Sequence, residues 1–408
     1  MTKQLFQSYA TFARTPEGFV LSVLTKRSYG WSANGLVHGL GEQPPLCRDI
    51  TRADRDDRNG QIVTQGRDVW PLKPATDVIV TGHAHAPAGT SVRELPIEVR
   101  VGAHSRRIVA LGPRFVERRS SGRITFSQPE PLQSVELSWW NAYGGIDPMV
   151  LPRGLSDTPV FAGKPTLELF PGAYPRNPSG TGYLIRATPA LLDGLTLPQL
   201  EDPEQRLTPE TLLVDDPKGW WKRPLPAGFG WCHALWFPRI IHCGGKPYHW
   251  PLGSELSAVR EAQLGLLSGA DEAGEIEGPS LHMTNEAAPG MILPYLKGDE
   301  PVELVGVSRE GALRFVLEAE QATINAQVDA QGLRELQSVI HTLAVDADKR
   351  QLYIVRSTRF LVPDAMQVDL SAELPLDDAI ARTCVTVDGL ELTREHWPDS
   401  MTGAIEGE

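Results

Sequence analysis

Apolar runs of strand length recur along the chain. "FVLSVLT" (19–25), "TDVIVTGHAHA" (76–86), "PIEVRVG" (96–102), "RRIVALG" (106–112) and "RITFS" (123–127) are rich in β-branched residues and end at Gly, Pro or Ser. "ELPIEVRVGAHSRRIVALG" predicts a hairpin turning at Gly102-Ala103-His104-Ser105. Two more hairpins are predicted, over 302–318 around Arg309-Glu310-Gly311 and over 343–357 around Asp346–Lys349. Single strands are expected at 132–138, 181–187 and 235–242. Helical spacing is rare. "SELSAVREAQLGLLSG" (254–269) carries it, with Ser254 placed to cap and Gly269 after the end, while 329–340 fits helix or strand equally. The Gly-rich acidic stretch 268–290 has no period and predicts a loop. The expected fold is mainly β, with sandwich- or barrel-like hairpins and a few helices, becoming α+β in the C-terminal part. The expected divisions are a β-rich domain over 1–254, a helix and linker over 255–290, and a smaller hairpin domain over 291–408.

Composition supports that pattern. The 38 glycines and 34 prolines are spread along the 408 residues, which suits many strands joined by turns. A net charge of −12 argues against nucleic acid as a partner, because that binding needs cations to displace phosphate counterions. The charge is uneven. Residues 93–123 carry eight arginines against three acids, and 269–303 carry eight acids against Lys297 alone. The start lacks an apolar targeting core and no run of 18 apolar residues occurs, so a cytoplasmic protein without a membrane partner is expected. Four irregularly spaced cysteines do not resemble a disulfide framework.

Signatures of chemistry are sparse. The chain has no Walker-type phosphate loop, no G-x-S-x-G elbow and no H-E-x-x-H, so no catalytic residue and no cofactor is predicted. His83 and His85 sit two apart on a predicted strand, which turns both imidazoles to one face and makes them weak metal-ligand candidates. "GWCHALWFPRIIHCGG" (230–245) sets Cys232, His233, His242 and Cys243 symmetrically about Phe237-Pro238. Neighbouring strand residues point to opposite faces, so the four would not converge on one ion, and core packing is the better reading. Trp220, Trp221, Lys222 and Arg223 combine aromatic and cationic side chains in a Pro/Gly-rich context, the composition of a partner-binding surface. Tryptophan abundance with Glu201, Arg114 and Arg239 leaves an alternative, a hydrolytic or carbohydrate-binding cleft.

Seven short elements then occur in a recognisable order: "KPATDVIVTGHAHAPAG" (73–89), "VRVGAHSRRIVALGPRF" (99–115), "NAYGG" (141–145), "RNPSGTGY" (176–183), "LPQLEDP" (197–203), "PAGFGWCHALWFPR" (226–239) and "NEAAPGMILPYLKGDEPVEL" (285–304). In this order they resemble the family called domain of unknown function 2169, found with type VI secretion systems of Gram-negative bacteria. The resemblance covers about residues 70–360. It singles out Lys73, Pro74, Asp77, Gly82, Arg114, Gly144, Gly145, Asn177, Gly180, Gly182, Glu201, Trp236 and Arg239. Cys232, His233, His242 and Cys243 match nothing in the pattern. The resemblance implies an adaptor or chaperone without an active site. Its partners would be a type VI effector, often PAAR-containing, and the VgrG spike. The glycines would then serve tight turns. Arg114, Asn177, Glu201 and Arg239 would join in one buried polar network.

Overall fold

The computed structural model describes residues 5–15, 18–55, 61–147, 173–185, 187–213, 223–233, 236, 239, 281–364, 366 and 376–399. Within them the fold is mainly β, as the alternating pattern predicts. The largest sheet has seven strands. Its order is Gln7–Thr15, Gly18–Trp31, Gln351–Leu361, Glu335–Asp346, Thr76–Thr81 and Ile292–Leu293, with Val37–Gly39 pairing against Gly18–Trp31. All pairs are antiparallel except Glu335–Asp346 against Thr76–Thr81, where Leu343 lies beside Val78 and Val345 beside Val80. A second sheet of five strands runs Leu200–Glu201, His104–Leu111, Glu94–Val101, Pro301–Val305 and Leu313–Val316. A third, of four, runs Gln331–Gly332, Ile324–Val328, Thr383–Val387 and Leu390–Glu391.

Alternation decides what each sheet buries. Glu94–Val101 turns Leu95, Ile97, Val99 and Val101 inward. They join Val78, Val80, Leu343 and Ile354 of the seven-stranded sheet in the main core. Another part of that large sheet supplies Phe12, Leu21, Val23 and Phe360, which pack with Ala326, Val328, Val385 and Val387 of the four-stranded sheet. A third core gathers Tyr143, Tyr174, Tyr183, Leu192 and Leu212 against Val116 and Ile124.

The predicted hairpins form, with strands at 94–101/104–111, 301–305/313–316 and 335–346/351–361. The ambiguous stretch 329–340 is extended from Glu335 onward, because that strand pairs on both sides and tertiary pairing overrides its helical spacing. The run predicted over 76–86 breaks at Gly82, whose φ of +118° lies where side-chain-bearing residues are strained. After the break, His83–His85 leaves the large sheet and pairs with Ser134–Glu136. The expected division at 254/255 and 290/291 does not match the sheets. Strands on both sides of it hydrogen-bond in the seven-stranded sheet and again in the five-stranded one. The helix expected over 254–269 and the strand over 235–242 lie outside the described residues. Among the described residues of the strand expected over 181–187, Thr181–Gly182 is the part that forms.

Candidate functional site

Three buried places collect the residues that the motifs single out. The first lies where Thr76–Thr81 enters the large sheet. Lys73 Nζ meets Asp77 Oδ2 at 2.6 Å, four residues on, with both side chains about 1 % exposed. Asp77 is a four-bond acceptor. Oδ1 also takes Asn285 Nδ2 at 2.9 Å and the Ala287 N–H at 3.3 Å, and Oδ2 takes the Glu286 N–H at 2.8 Å. Glu286 closes the group. Its carboxylate lies 3.9 Å from Lys73 Nζ and 3.7 Å from Arg239 Nη1, and accepts the Arg67 N–H at 3.0 Å. Arg239 donates to the carbonyls of Cys232 at 2.6 Å and Met283 at 2.7 Å. Two cations thus face two carboxylates, and three distant segments, 73–77, 232–239 and 283–287, are tied together. Pro74 lies inside the first of them and brings no N–H that would need a partner. Unpaired, any of these charges would be costly to bury. Burial still pushes the Glu286 carboxyl up, against the pull of Lys73 and Arg239.

The stretch that holds Cys232 and His233 lines this hub. Burial pushes the Cys232 thiol up to about 12, so it stays protonated, and it packs in the main core. Burial, aided by Arg52 and Arg239, pushes the His233 imidazole down to about 3. Near neutral pH the thiol is therefore not a thiolate nucleophile, and the imidazole is buried and neutral. His242 and Cys243 lie outside the described residues. Trp236 stands edge-on to Trp139, ring centroids 5.5 Å apart at 89°, and Trp139 Nε1 donates to the Trp231 carbonyl at 2.8 Å.

The second place is a backbone crossing. Tyr143–Gly144 pairs in parallel with Thr181–Gly182. Asn177 Nδ2 donates to the carbonyls of Trp139 at 2.8 Å and Tyr143 at 3.2 Å. A Cβ on Gly144 would stand 2.1 Å from the Asn177 carbonyl oxygen at a φ of +148°, so only glycine fits. Gly145, Gly180 and Gly182 belong to the same crossing. Beside it, Arg223 is buried. Its guanidinium donates to Tyr143 Oη at 3.0 Å and lies over the Tyr183 ring. Arg223 therefore points inward, unlike the exposed cation expected from sequence. Trp220, Trp221 and Lys222 lie outside the described residues.

The third place is the Arg114–Glu201 ion pair, with Arg206 Nη1 3.8 Å from the same carboxylate. Burial raises the Glu201 carboxyl and lowers Arg114, each opposed by its partner. Arg114, Asn177, Glu201 and Arg239 thus do not form the single network expected. Arg114 and Glu201 pair with each other, Asn177 serves the backbone crossing, and Arg239 belongs to the Asp77 hub.

His83 and His85 meet a carboxylate that spacing could not identify. Asp348, in the tip of the long hairpin, lies 2.7 Å from His83 Nδ1 and 3.6 Å from His85 Nε2, and accepts the His83 N–H at 3.1 Å. Burial raises the Asp348 carboxyl, but the bonds from His83 outweigh it and leave it lowered. Among the described residues no three metal-ligating side chains are arranged to hold an ion.

A cleft of about 410 Å³ opens on the large sheet, between its strands and the segment 40–47. Lys26, Cys47, Gln65, Trp231, Gln351 and Tyr353 contribute to its wall, and Arg114, Glu201 and Arg239 do not. Beneath it the buried Lys26 ammonium is 2.6 Å from Asp68 and lies 4.0 Å over the Tyr353 ring. Sequence reasoning missed Glu286, although it sits in the "NEAAPG" element beside Asn285. It also missed the Lys26–Asp68 pair, for which no motif signals.

Among the described residues no helix is long and apolar enough to cross a membrane. No curated protein and no solved structure is detectably similar to the chain. A family model does match, over residues 17–356, and so begins well before the first motif at Lys73. The chain belongs to the bacterial family described as "Uncharacterized protein conserved in bacteria (DUF2169)".

Proposed function

We propose that this chain is a non-enzymatic, cytoplasmic adaptor or chaperone of type VI secretion. It binds a cognate effector, in many cases PAAR-containing, and helps load it onto the VgrG spike. One observation carries the reading. The ionic side chains of the motifs, Lys73, Asp77, Arg114, Glu201 and Arg239, are all directed at one another or at backbone groups. Such residues fix how long connections cross two sheets, which is what a scaffold that presents loops to a partner requires. Family membership supports the same reading through the resemblance of the ordered elements.

Co-expression with the effector encoded beside it tests the proposal. The tagged chain is expected to co-purify that effector, and deletion of its gene is expected to abolish the effector's secretion. Failure to form a complex, with secretion unchanged, refutes the adaptor role. Replacing Trp220 and Trp221 together by Ala is expected to weaken the complex at least tenfold with thermal stability unchanged, since aromatic anchors dominate interfaces.

A further inference from the structure

We propose that the cleft beside Trp231 is a docking site for an uncharged, extended peptide segment of the partner protein. One apolar side chain would sit against the walls, and the main chain would be read by Gln65 and Gln351. The inference rests on the adaptor reading and locates its contact. Four observations carry it. The volume, about 410 Å³, is that of a site for a small ligand or a short segment. Its walls include Leu40, Leu46, Tyr353, Pro44 and Pro45, which supply apolar surface. Its cations are engaged. Lys26 Nζ is held by Asp68 at 2.6 Å and by the Pro45 carbonyl at 3.1 Å, and Lys349 Nζ by Asp346 at 2.7 Å. Each of these ammonium groups already faces a carboxylate that offsets its charge, so among the described residues the cleft offers a phosphate or carboxylate ligand no unpaired cation and a neutral occupant fits better. The carboxamides of Gln65 and Gln351, by contrast, make no side-chain hydrogen bond among the described residues. Each offers donors and an acceptor, the complement of a peptide group.

A sugar would want an exposed aromatic face to stack on, and Trp231 is only 6 % exposed. The cleft also carries a mechanical rim. The Ala347 N–H donates to the Thr81 carbonyl at 3.0 Å, and Asp348 is fastened to His83, so the hairpin tip that bears Asp346 and Lys349 is held in place at the mouth. A preformed mouth lowers the ordering cost of binding.

Overlapping fifteen-residue peptides tiling the neighbouring effector are the probe, read by fluorescence polarisation against the full chain. One or a few uncharged, apolar peptides are expected to bind. Q65L combined with Q351L is expected to weaken them at least tenfold. T64W, which places an indole at the wall from an exposed position, is expected to abolish them. Circular dichroism and thermal midpoints are expected to match the wild type for both variants. Equal binding by both variants overturns the proposal. So does intact effector that co-purifies while none of its peptides binds, which leaves the adaptor reading standing. Effector that fails to co-purify removes both. Oligosaccharides that bind at the cleft where peptides do not also overturn it.

Discussion

Two regions use the same ionic chemistry to different ends. In the Asp77 hub, Lys73, Asp77, Glu286 and Arg239 are nearly sealed from water and bind backbone groups of three segments. On the outer face of the five-stranded sheet, a ladder runs across four strands in the order Arg107, Glu98, Arg100, Glu303, Arg314. Its contacts are 3.0 Å from Arg107 to Glu98, 2.7 Å from Arg100 to Glu98, and 2.5 Å from both Arg100 and Arg314 to Glu303. The cations there are open to solvent, with Arg107 66 % and Arg314 70 % exposed. Water can replace a lost partner in the ladder. It cannot in the hub. The ladder keeps an exposed sheet face polar, whereas the hub holds the chain's long connections in register. Ion pairing also accounts for much of the arginine-rich stretch 93–123. Arg100, Arg106, Arg107, Arg114 and Arg119 each have a carboxylate partner, so most of that positive charge is matched within the fold.

The largest effect is expected from the hub. D77A leaves Lys73 buried beside one distant carboxylate and strips acceptors from three other donors. Breaking a buried pair in this way costs about 3–5 kcal/mol. Urea unfolding at neutral pH should show that loss, or an insoluble protein. The milder D77N keeps the shape and should retain part of the stability. If D77A cost no more than the ladder substitution E303Q, burial would not be what separates the two regions.

Acid should reach the buried region first. His233 has a folded value near 3 against an ordinary 6.5, so the unfolded chain binds the proton more readily. The neutral, buried imidazole therefore contributes stability that is fully present above about pH 6.5 and lost as pH falls toward 3. His341, buried and lowered by desolvation and by Arg359 and Lys73, acts in the same direction. In the ladder, Glu98 is lowered from 4.5 to about 2, chiefly by the Arg100 bond, against burial and with help from Ser105 and Arg107. Its contribution is present above 4.5 and lost only as pH falls toward 2. Thermal midpoints measured from pH 8 to 3 should decline already below 6.5, and H233Q should flatten that first part of the decline. A midpoint constant down to pH 4.5 would contradict the assignment.

The reach of sequence reasoning follows the same division. Strands and hairpins were legible because alternation and turn residues are local. The Lys73–Asp77 pair was accessible through a short motif, since its partners are four residues apart. Glu286 and Asp348 were not, because Lys73 and Arg67 lie more than two hundred residues from Glu286, and His83 as far from Asp348, and only the sheet order brings them together. The expected three-part division gave no hint of the sheet order for a related reason. Strand pairing across the whole chain places Gln351–Leu361 between Gly18–Trp31 and Glu335–Asp346, and composition along the chain carries no trace of that. His83 and His85 were read as possible ligands from their shared face. Their neighbour Asp348 instead accepts hydrogen bonds from His83, in a place kept open by Gly82, where a Cβ would come within 3.1 Å of Asp348 Oδ1.

The smallest effect belongs to the ladder, and it is the sharpest control on the comparison. Glu303 joins Arg100 and Arg314, so E303Q removes two ion pairs at once while keeping the side chain's shape. Exposed pairs are worth about 0.2–1 kcal/mol each, and salt screens them over a Debye length of about 8–10 Å at physiological strength. The substitution should therefore lower stability by about 1 kcal/mol in dilute buffer. The difference from wild type should shrink by at least half in 1 M sodium chloride, where the screening length is about 3 Å. The penalty for D77A should hardly change over the same range, because ions do not enter the hub. A salt-independent penalty at Glu303 would mean that its arginines are held for packing rather than for charge, and the two regions would then differ in depth alone.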